Sequence, residues 1–396
     1  MKKINAAITN KKNLITGVNG LLLIISSSII FLSLLADSTI LHLVSIPVII
    51  YAVIFIMIAI NLRLSLNLRK WLGLVVILLV FSFIISLFNN AYLGQFLMRL
   101  SMILLGIITY SNVQIPKKAM NIISLIMMIL TSYFFIKSFG YNNAFSQTNE
   151  LSSNYNAINP NSMGLVVLFS FMIADRGAFM KNHIVRFAII IASFVALFNF
   201  GSRNALLCLA LYIASVYILK NIKTRGRKII LAISLLVALL FPIIYVSTYD
   251  SSLSRGDSVE ILGKDIYSGR QDIWTEAMTT KNIGSIFVGN SNLTLIESLP
   301  SKSLHNMYID IGYQLGIPYL LFFMFIIYII ATRNPDISRK VFASILMLLI
   351  YGYFETTFEA GGYTSLLMLL VFMNVDSSEK YNLVRPDRGV QNAQKN

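Results

Sequence analysis

The sequence predicts an all-α fold, a polytopic membrane helix bundle of about twelve transmembrane helices with a large extracytoplasmic loop. Three observations carry that expectation. Apolar residues make up 56% of the 396 and charged residues only 12%, with a mean hydropathy of +0.73, a balance that no water-soluble domain of this length sustains. Apolar runs near the length of a bilayer crossing follow one another along the chain, and backbone in hydrocarbon must satisfy its own polar groups, which selects helices. Lysines and arginines recur in every second connection.

The first run, 14–35, follows Lys2, Lys3, Lys11 and Lys12. It is long and lacks a small-residue cleavage site, so it reads as a retained span rather than a signal peptide. Runs 40–60 and 71–88 flank Arg63, Arg69 and Lys70, and runs 94–111 and 119–138 flank Lys117 and Lys118. Runs 162–175 and 187–200 flank Arg176, Lys181 and Arg186, while 204–219 and 229–247 flank Lys220, Lys223, Arg225, Arg227 and Lys228. Runs 306–331 and 341–358 flank Arg333, Arg339 and Lys340, and 363–375 precedes Lys380, Arg385, Arg388 and Lys395. Threading the chain through these runs puts all the basic segments on one side, which the positive-inside rule makes cytoplasmic. The net charge of +15 is therefore topology and not a nucleic-acid footprint. Residues 1–396 form a single membrane domain of the inner (cytoplasmic) membrane, spans about 14–375, with both termini in the cytoplasm and 376–396 a disordered tail.

Cys208, the one cysteine, falls inside a run and reads as a small packing residue. No internal repeat relates the two halves, which weakens a transporter reading. The outer connections are short except 139–161 and 248–305. The second carries Trp274 and balanced charge and reads as a folded cap with an amphipathic helix at 270–280. The first ends in Asn159, Pro160 and Asn161, amide-rich sequence able to hydrogen-bond sugar hydroxyls.

Ionisable groups inside or at the mouth of a span cost about 2.5–3.5 kcal/mol at a helix centre, so each needs a reason. Arg99, Arg203 and Lys137 oppose the positive-inside bias; each either snorkels to the interface or serves a site. In the cap, Arg270 and Trp274 are four residues apart, on one face of a helix. His305, followed by Asn306 and Tyr308, enters the run at 306, whereas His42 and His183 occupy bland positions. Glu355 and Glu359 are spaced to share a helical face, where they either grip sugar hydroxyls, pair with an outer arginine or lie exposed. No Asp-x-Asp pair and no clustered His and carboxylate ligands lie outside, and Asp37 is a lone acid. Arg203, Arg270 and His305 can all face one outer cavity: guanidinium forks match phosphate oxygens, and an imidazole can take a proton from a hydroxyl.

These features resemble the O-antigen polymerase and O-antigen ligase superfamily, the Wzy-type and WaaL-type enzymes of polysaccharide export. The likeness is carried by Asn159-Pro160-Asn161, Gly201-Ser202-Arg203, Ser268-Gly269-Arg270 with Trp274, and His305-Asn306 with Tyr308, Gly312 and Gly316, over roughly residues 150–330. The resemblance implies a metal-independent, inverting glycosyltransferase acting on an undecaprenyl-diphosphate-linked oligosaccharide at the outer face. It implies that Arg203 and Arg270 hold the diphosphate and that His305 is the general base. Substrate contacts would come from Arg99, Asn306, Tyr308, Asn159, Asn161, Trp274, Glu355 and Glu359. Membrane lipid, a chain-length regulator and a flippase would be its partners, and nucleic acid would not. The first reading is a polymerase that moves a growing glycan onto a lipid-linked repeat unit. The alternatives are a ligase with another acceptor and a flippase or transporter for lipid-linked oligosaccharide.

Overall fold

The computed structural model describes residues 2–35, 45–62, 68, 71–73, 75–77, 80, 91–140, 160–253, 260–261, 264–265, 270–279, 286–287, 289, 304–333, 338–355 and 367–375. The chain is mostly helical. Its helices are α1 (Lys2–Leu35), α2 (Ser45–Asn61), α3 (Ala91–Asn112), α4 (Lys117–Ser138), α5 (Pro160–Ala174) and α6 (His183–Asn199). They continue with α7 (Arg203–Ile218), α8 (Thr224–Leu253), α9 (Arg270–Thr279), α10 (Met307–Leu315), α11 (Ile317–Arg333) and α12 (Arg339–Tyr351). Two-residue strands β1 (Gln114–Ile115) and β4 (Asn374–Val375) pair in parallel, and β2 (Glu260–Ile261) pairs antiparallel with β3 (Lys264–Asp265).

Among the described residues, three helical stretches are long and apolar enough to cross a membrane: Lys11–Leu35, Lys117–Ser138 and Thr224–Tyr249. Shorter apolar helices run over Val48–Asn61, Leu100–Asn112, Asn161–Ala174, His183–Asn199, Arg203–Ile218 and Ile317–Thr332. The long ones keep an exposed apolar face, such as Leu21, Ile129, Ile136, Ile233 and Leu240. By contrast α5 and α12 are buried almost all round, from Met163 to Ala174 and from Val341 to Leu349. A helix apolar on every side belongs in the middle of a bundle. α5 packs on α4, α6 and α7, and α12 on α7 and α8, so this pair forms the centre on which the rest is laid.

Two polar links tie α5 to the α12 segment. Asn161 at the start of α5 meets Glu355 just past the end of α12, and Asp175 just past α5 meets Lys340 at the start of α12. The two helices are therefore antiparallel and in register. A 15-residue helix is about 22 Å long, so the two polar clusters stand at opposite ends of the bundle.

Several expectations need correction. The run 306–331 is not one helix: Gly316, at φ 87°, ψ 162°, breaks it into α10 and α11. That backbone region is open essentially to glycine alone. A Cβ on Gly312 would touch Leu320, eight residues on, whereas in a continuous helix those positions are about 12 Å apart. α10 thus folds back over α11. Gly316 also lies against the Phe287 carbonyl, and Gly289, itself at φ 83°, against the Gln314 carbonyl, so Phe287 and Gly289 seat in the break. The run 341–358 ends as a helix at Tyr351, and Glu355 follows in a bend. The helix α1 extends N-terminal to the apolar run 14–35, from Lys2, and α8 extends beyond the run 229–247, to Leu253. The cap helix expected at 270–280 is α9. Much of 71–88, 139–161 and 248–305, together with Asp37, His42 and the tail 376–396, lies outside the described residues.

Candidate functional site

The last carbonyls of a helix have no partner within it. At the end of α12 they are taken by the residues that open α10. Met307 N–H donates to Gly352 O at 2.9 Å, Asn306 Nδ2 to Tyr353 O at 2.8 Å, and Tyr308 Oη to Leu349 O at 2.9 Å. Asn306 Oδ1 meanwhile accepts from the backbone N–H groups of Tyr308 and Ile309, at 2.9 and 3.0 Å, as the N-cap of α10. The negative end of one helix dipole meets the positive end of another. His305 is the residue immediately before this interlock.

His305 is held from both sides. Behind it, Leu304 O accepts from Trp274 Nε1 at 2.8 Å; ahead of it, Asn306 is fully buried. Trp274 is itself buried against Tyr245 and Phe241, and Phe241 stacks on Tyr353 at 5.5 Å. Between these anchors His305 adopts φ 49°, a left-handed conformation uncommon outside glycine and asparagine. The framework fixes where the imidazole points.

It points at Glu355. His305 Nδ1 lies 3.4 Å from Glu355 Oε2, while Oε1 accepts from Arg270 Nη2 at 2.8 Å and from Asn161 Nδ2 at 2.7 Å. Arg270 opens α9, Asn161 lies in the first turn of α5, and the Asn161 carbonyl accepts from Tyr351 Oη at 3.0 Å. One carboxylate thus gathers side chains from three distant segments. Their side chains stay partly open to solvent, at 16% for Arg270, 27% for His305 and 11% for Glu355, so the cluster forms the wall of an accessible surface.

Arg203 reaches the same end by a different device. α6 closes with Gly201 at φ 68°, Gly201 N–H bonding Phe198 O and Ser202 N–H bonding Leu197 O, the paired bonds of a Schellman turn. Glycine is needed there, and α7 starts at Arg203 directly after it. The buried Ser202 lies against Gly164 of α5 and beside Tyr351.

The opposite end holds a second cluster. Asp175, fully buried, accepts from Arg186 Nε at 2.8 Å and from Tyr212 Oη at 3.1 Å, and pairs with Lys340 Nζ at 3.1 Å. Lys340 also donates to the Asp175 carbonyl. Arg176 Nη2 donates to Val371 O at 2.6 Å, and desolvation pushes its guanidinium down to about 10 against the opposing pull of Tyr212 and Asp175. Burial likewise lowers Lys340, with Asp175 opposing. Three of the cations read from sequence as topology charges are therefore structural fasteners. The signal for this was Asp175 itself, an acid in an otherwise basic connection.

Of the residues singled out in the sequence, the structure brings Arg270, His305, Glu355 and Asn161 into one cluster and sets Arg203 at the same end. Asn306, Tyr308 and Trp274, expected against substrate, are buried and spend their hydrogen-bonding groups on the framework, because helix-end carbonyls and Leu304 O need donors there. Asn159, Glu359 and the side chain of Arg99 lie outside the described residues. Lys137 lies over the Tyr133 ring at 5.9 Å. No protein-family model, curated protein or solved structure matches the chain.

Proposed function

We propose that this protein is a membrane polysaccharide polymerase that transfers a growing undecaprenyl-diphosphate-linked glycan onto a lipid-linked repeat unit at the outer face of the cytoplasmic membrane. The observation that carries the reading is the cluster of Arg270, His305 and Glu355 at one end of the bundle, with Arg203 at that end too. The basic connections around Arg176, Lys181, Arg186 and Lys340 gather at the other. In this reading the bundle crosses the membrane about twelve times, the Glu355 end is outside, and both termini are cytoplasmic.

The chemistry follows from the groups present. The acceptor hydroxyl attacks the anomeric carbon of the donor glycan, its C–O bond to the lipid diphosphate breaks as the new glycosidic bond forms with inversion, and the hydroxyl proton passes to His305. With Nδ1 turned to Glu355, we assign Nε2 as the nitrogen that takes that proton. Arg270 and Arg203 stabilise the diphosphate as charge grows on it in the transition state.

Surface and lipid-linked glycans of a deletion strain, complemented with the normal gene or with Arg270→Ala, test this by length. The proposal expects long polymer from the normal gene and single repeat units, displayed outside, from the variant. Long polymer held on undecaprenyl diphosphate in the deletion strain would point to a ligase. Repeat units retained in the cytoplasmic leaflet would point to a flippase.

A further inference from the structure

Arg270, the group best suited to grip a phosphate, is occupied by Glu355. Glu355 takes one donor of the guanidinium, Nη2, so an incoming anion can engage the whole fork, both donors together, only if that carboxylate yields it. The geometry of Glu355 provides for this. Its Oε1 accepts twice, from Arg270 and from Asn161, and its Oε2 faces His305. Withdrawal of Arg270 leaves the carboxylate with Asn161 on one oxygen and the imidazole against the other, so the partly buried charge is never stranded. We infer that Glu355 is a placeholder anion, holding Arg270 in the empty site, releasing it to the donor diphosphate, and then serving as the positioning partner of His305.

This inference rests on the diphosphate reading above and adds to it a role for Glu355 that sugar binding would not require. Two consequences follow from the charges. Before release, the carboxylate competes with phosphate for the same guanidinium, so it weakens diphosphate binding. After release, a negative charge behind Nδ1 orients the ring and favours the imidazolium formed when Nε2 takes the acceptor proton, as a carboxylate does for the histidine of a catalytic triad. The same group therefore opposes binding and assists turnover. A carboxylate that merely fastened the segments together would assist both.

The test is the equilibrium binding of farnesyl diphosphate, a short-chain probe, to the detergent-purified full chain, with turnover of lipid-linked repeat units measured alongside. Glu355→Gln keeps the shape and the acceptor for Arg270 and Asn161 while removing the charge. It is expected to bind the probe at least about fivefold more tightly and to lower kcat at least about tenfold, with KM unchanged or lower. In the Arg270→Ala background the same change is expected to alter binding by less than about twofold, because no guanidinium remains to be released. Binding that is unchanged or weaker in Glu355→Gln, while Arg270→Ala abolishes it, overturns the placeholder role and leaves the polymerase reading standing. Failure of the normal protein and every variant to bind the probe removes the diphosphate reading and this inference together.

Discussion

Asn306 and Tyr353, 47 residues apart, are joined by a 2.8 Å hydrogen bond from the Asn306 amide to the Tyr353 carbonyl, while the Asn306 oxygen caps α10. One buried side chain thereby closes two helix ends, and the site is built directly on it. Asn306→Ala removes the cap, worth about 1 kcal/mol, and strands a buried carbonyl at roughly 1–3 kcal/mol more. Thermal unfolding in detergent should fall accordingly. Asn306→Asp keeps an acceptor for the cap but sets a buried carboxylate oxygen against the Tyr353 carbonyl, so its loss of stability should equal or exceed that of Ala.

Trp274 acts on His305 through Leu304. Trp274→Phe retains an aromatic ring against Phe241 and Tyr245 but removes the Nε1 donor to Leu304 O, at a cost of about 1 kcal/mol or somewhat more. The larger effect should be kinetic, a drop in kcat with little change in KM, because the segment carrying His305 loses an anchor while the substrate-holding arginine keeps its place. Steady-state rates on lipid-linked repeat units separate the two.

Gly316→Ala forces a side chain into φ 87° and against the Phe287 carbonyl. Strain of about 1–3 kcal/mol is expected, relieved most readily by displacing Ile286 and Phe287. A cysteine placed at Phe287 should label faster with a thiol reagent in that background than in the normal one.

Asp175→Asn leaves Arg186 and Lys340 without their counter-charge. Removing one member of a buried ion pair costs about 3–5 kcal/mol, and the partial exposure of both cations sets the expectation at roughly 3. The variant should show reduced thermal stability and reduced membrane abundance, with activity per folded molecule close to normal. A loss of specific activity at unchanged stability would contradict a fastening role.

The apolar runs made the helices legible because hydrocarbon solvation acts on each segment separately, and α4, α7 and α9 fall where the sequence put them. Arg270, His305 and Asn161 were legible as polar residues beside such runs. Glu355 was read as one of two acids able to pair with an outer arginine, but its bonds to Asn161 and His305 were not legible, because 194 residues separate it from Asn161 and one-dimensional pattern carries no distance. The end of α12 at Tyr351 depends on carbonyls satisfied by residues 306–308, a tertiary effect with no local signal. The break at Gly316 did carry one: glycine followed by Ile317 and Pro318 is the sequence of a helix stop and a new start. It was masked by the unbroken hydrophobicity around it.

The most direct test of the account is reconstitution of the purified protein in liposomes with undecaprenyl-diphosphate-linked repeat units as the only glycan, followed by length analysis of the lipid-linked products. The account predicts a ladder of multiples of the repeat, with free undecaprenyl diphosphate released once per addition, from the normal protein and none from Arg270→Ala or His305→Ala. Movement of single repeat units between leaflets without any ladder, or a ladder undiminished in both variants, would contradict it.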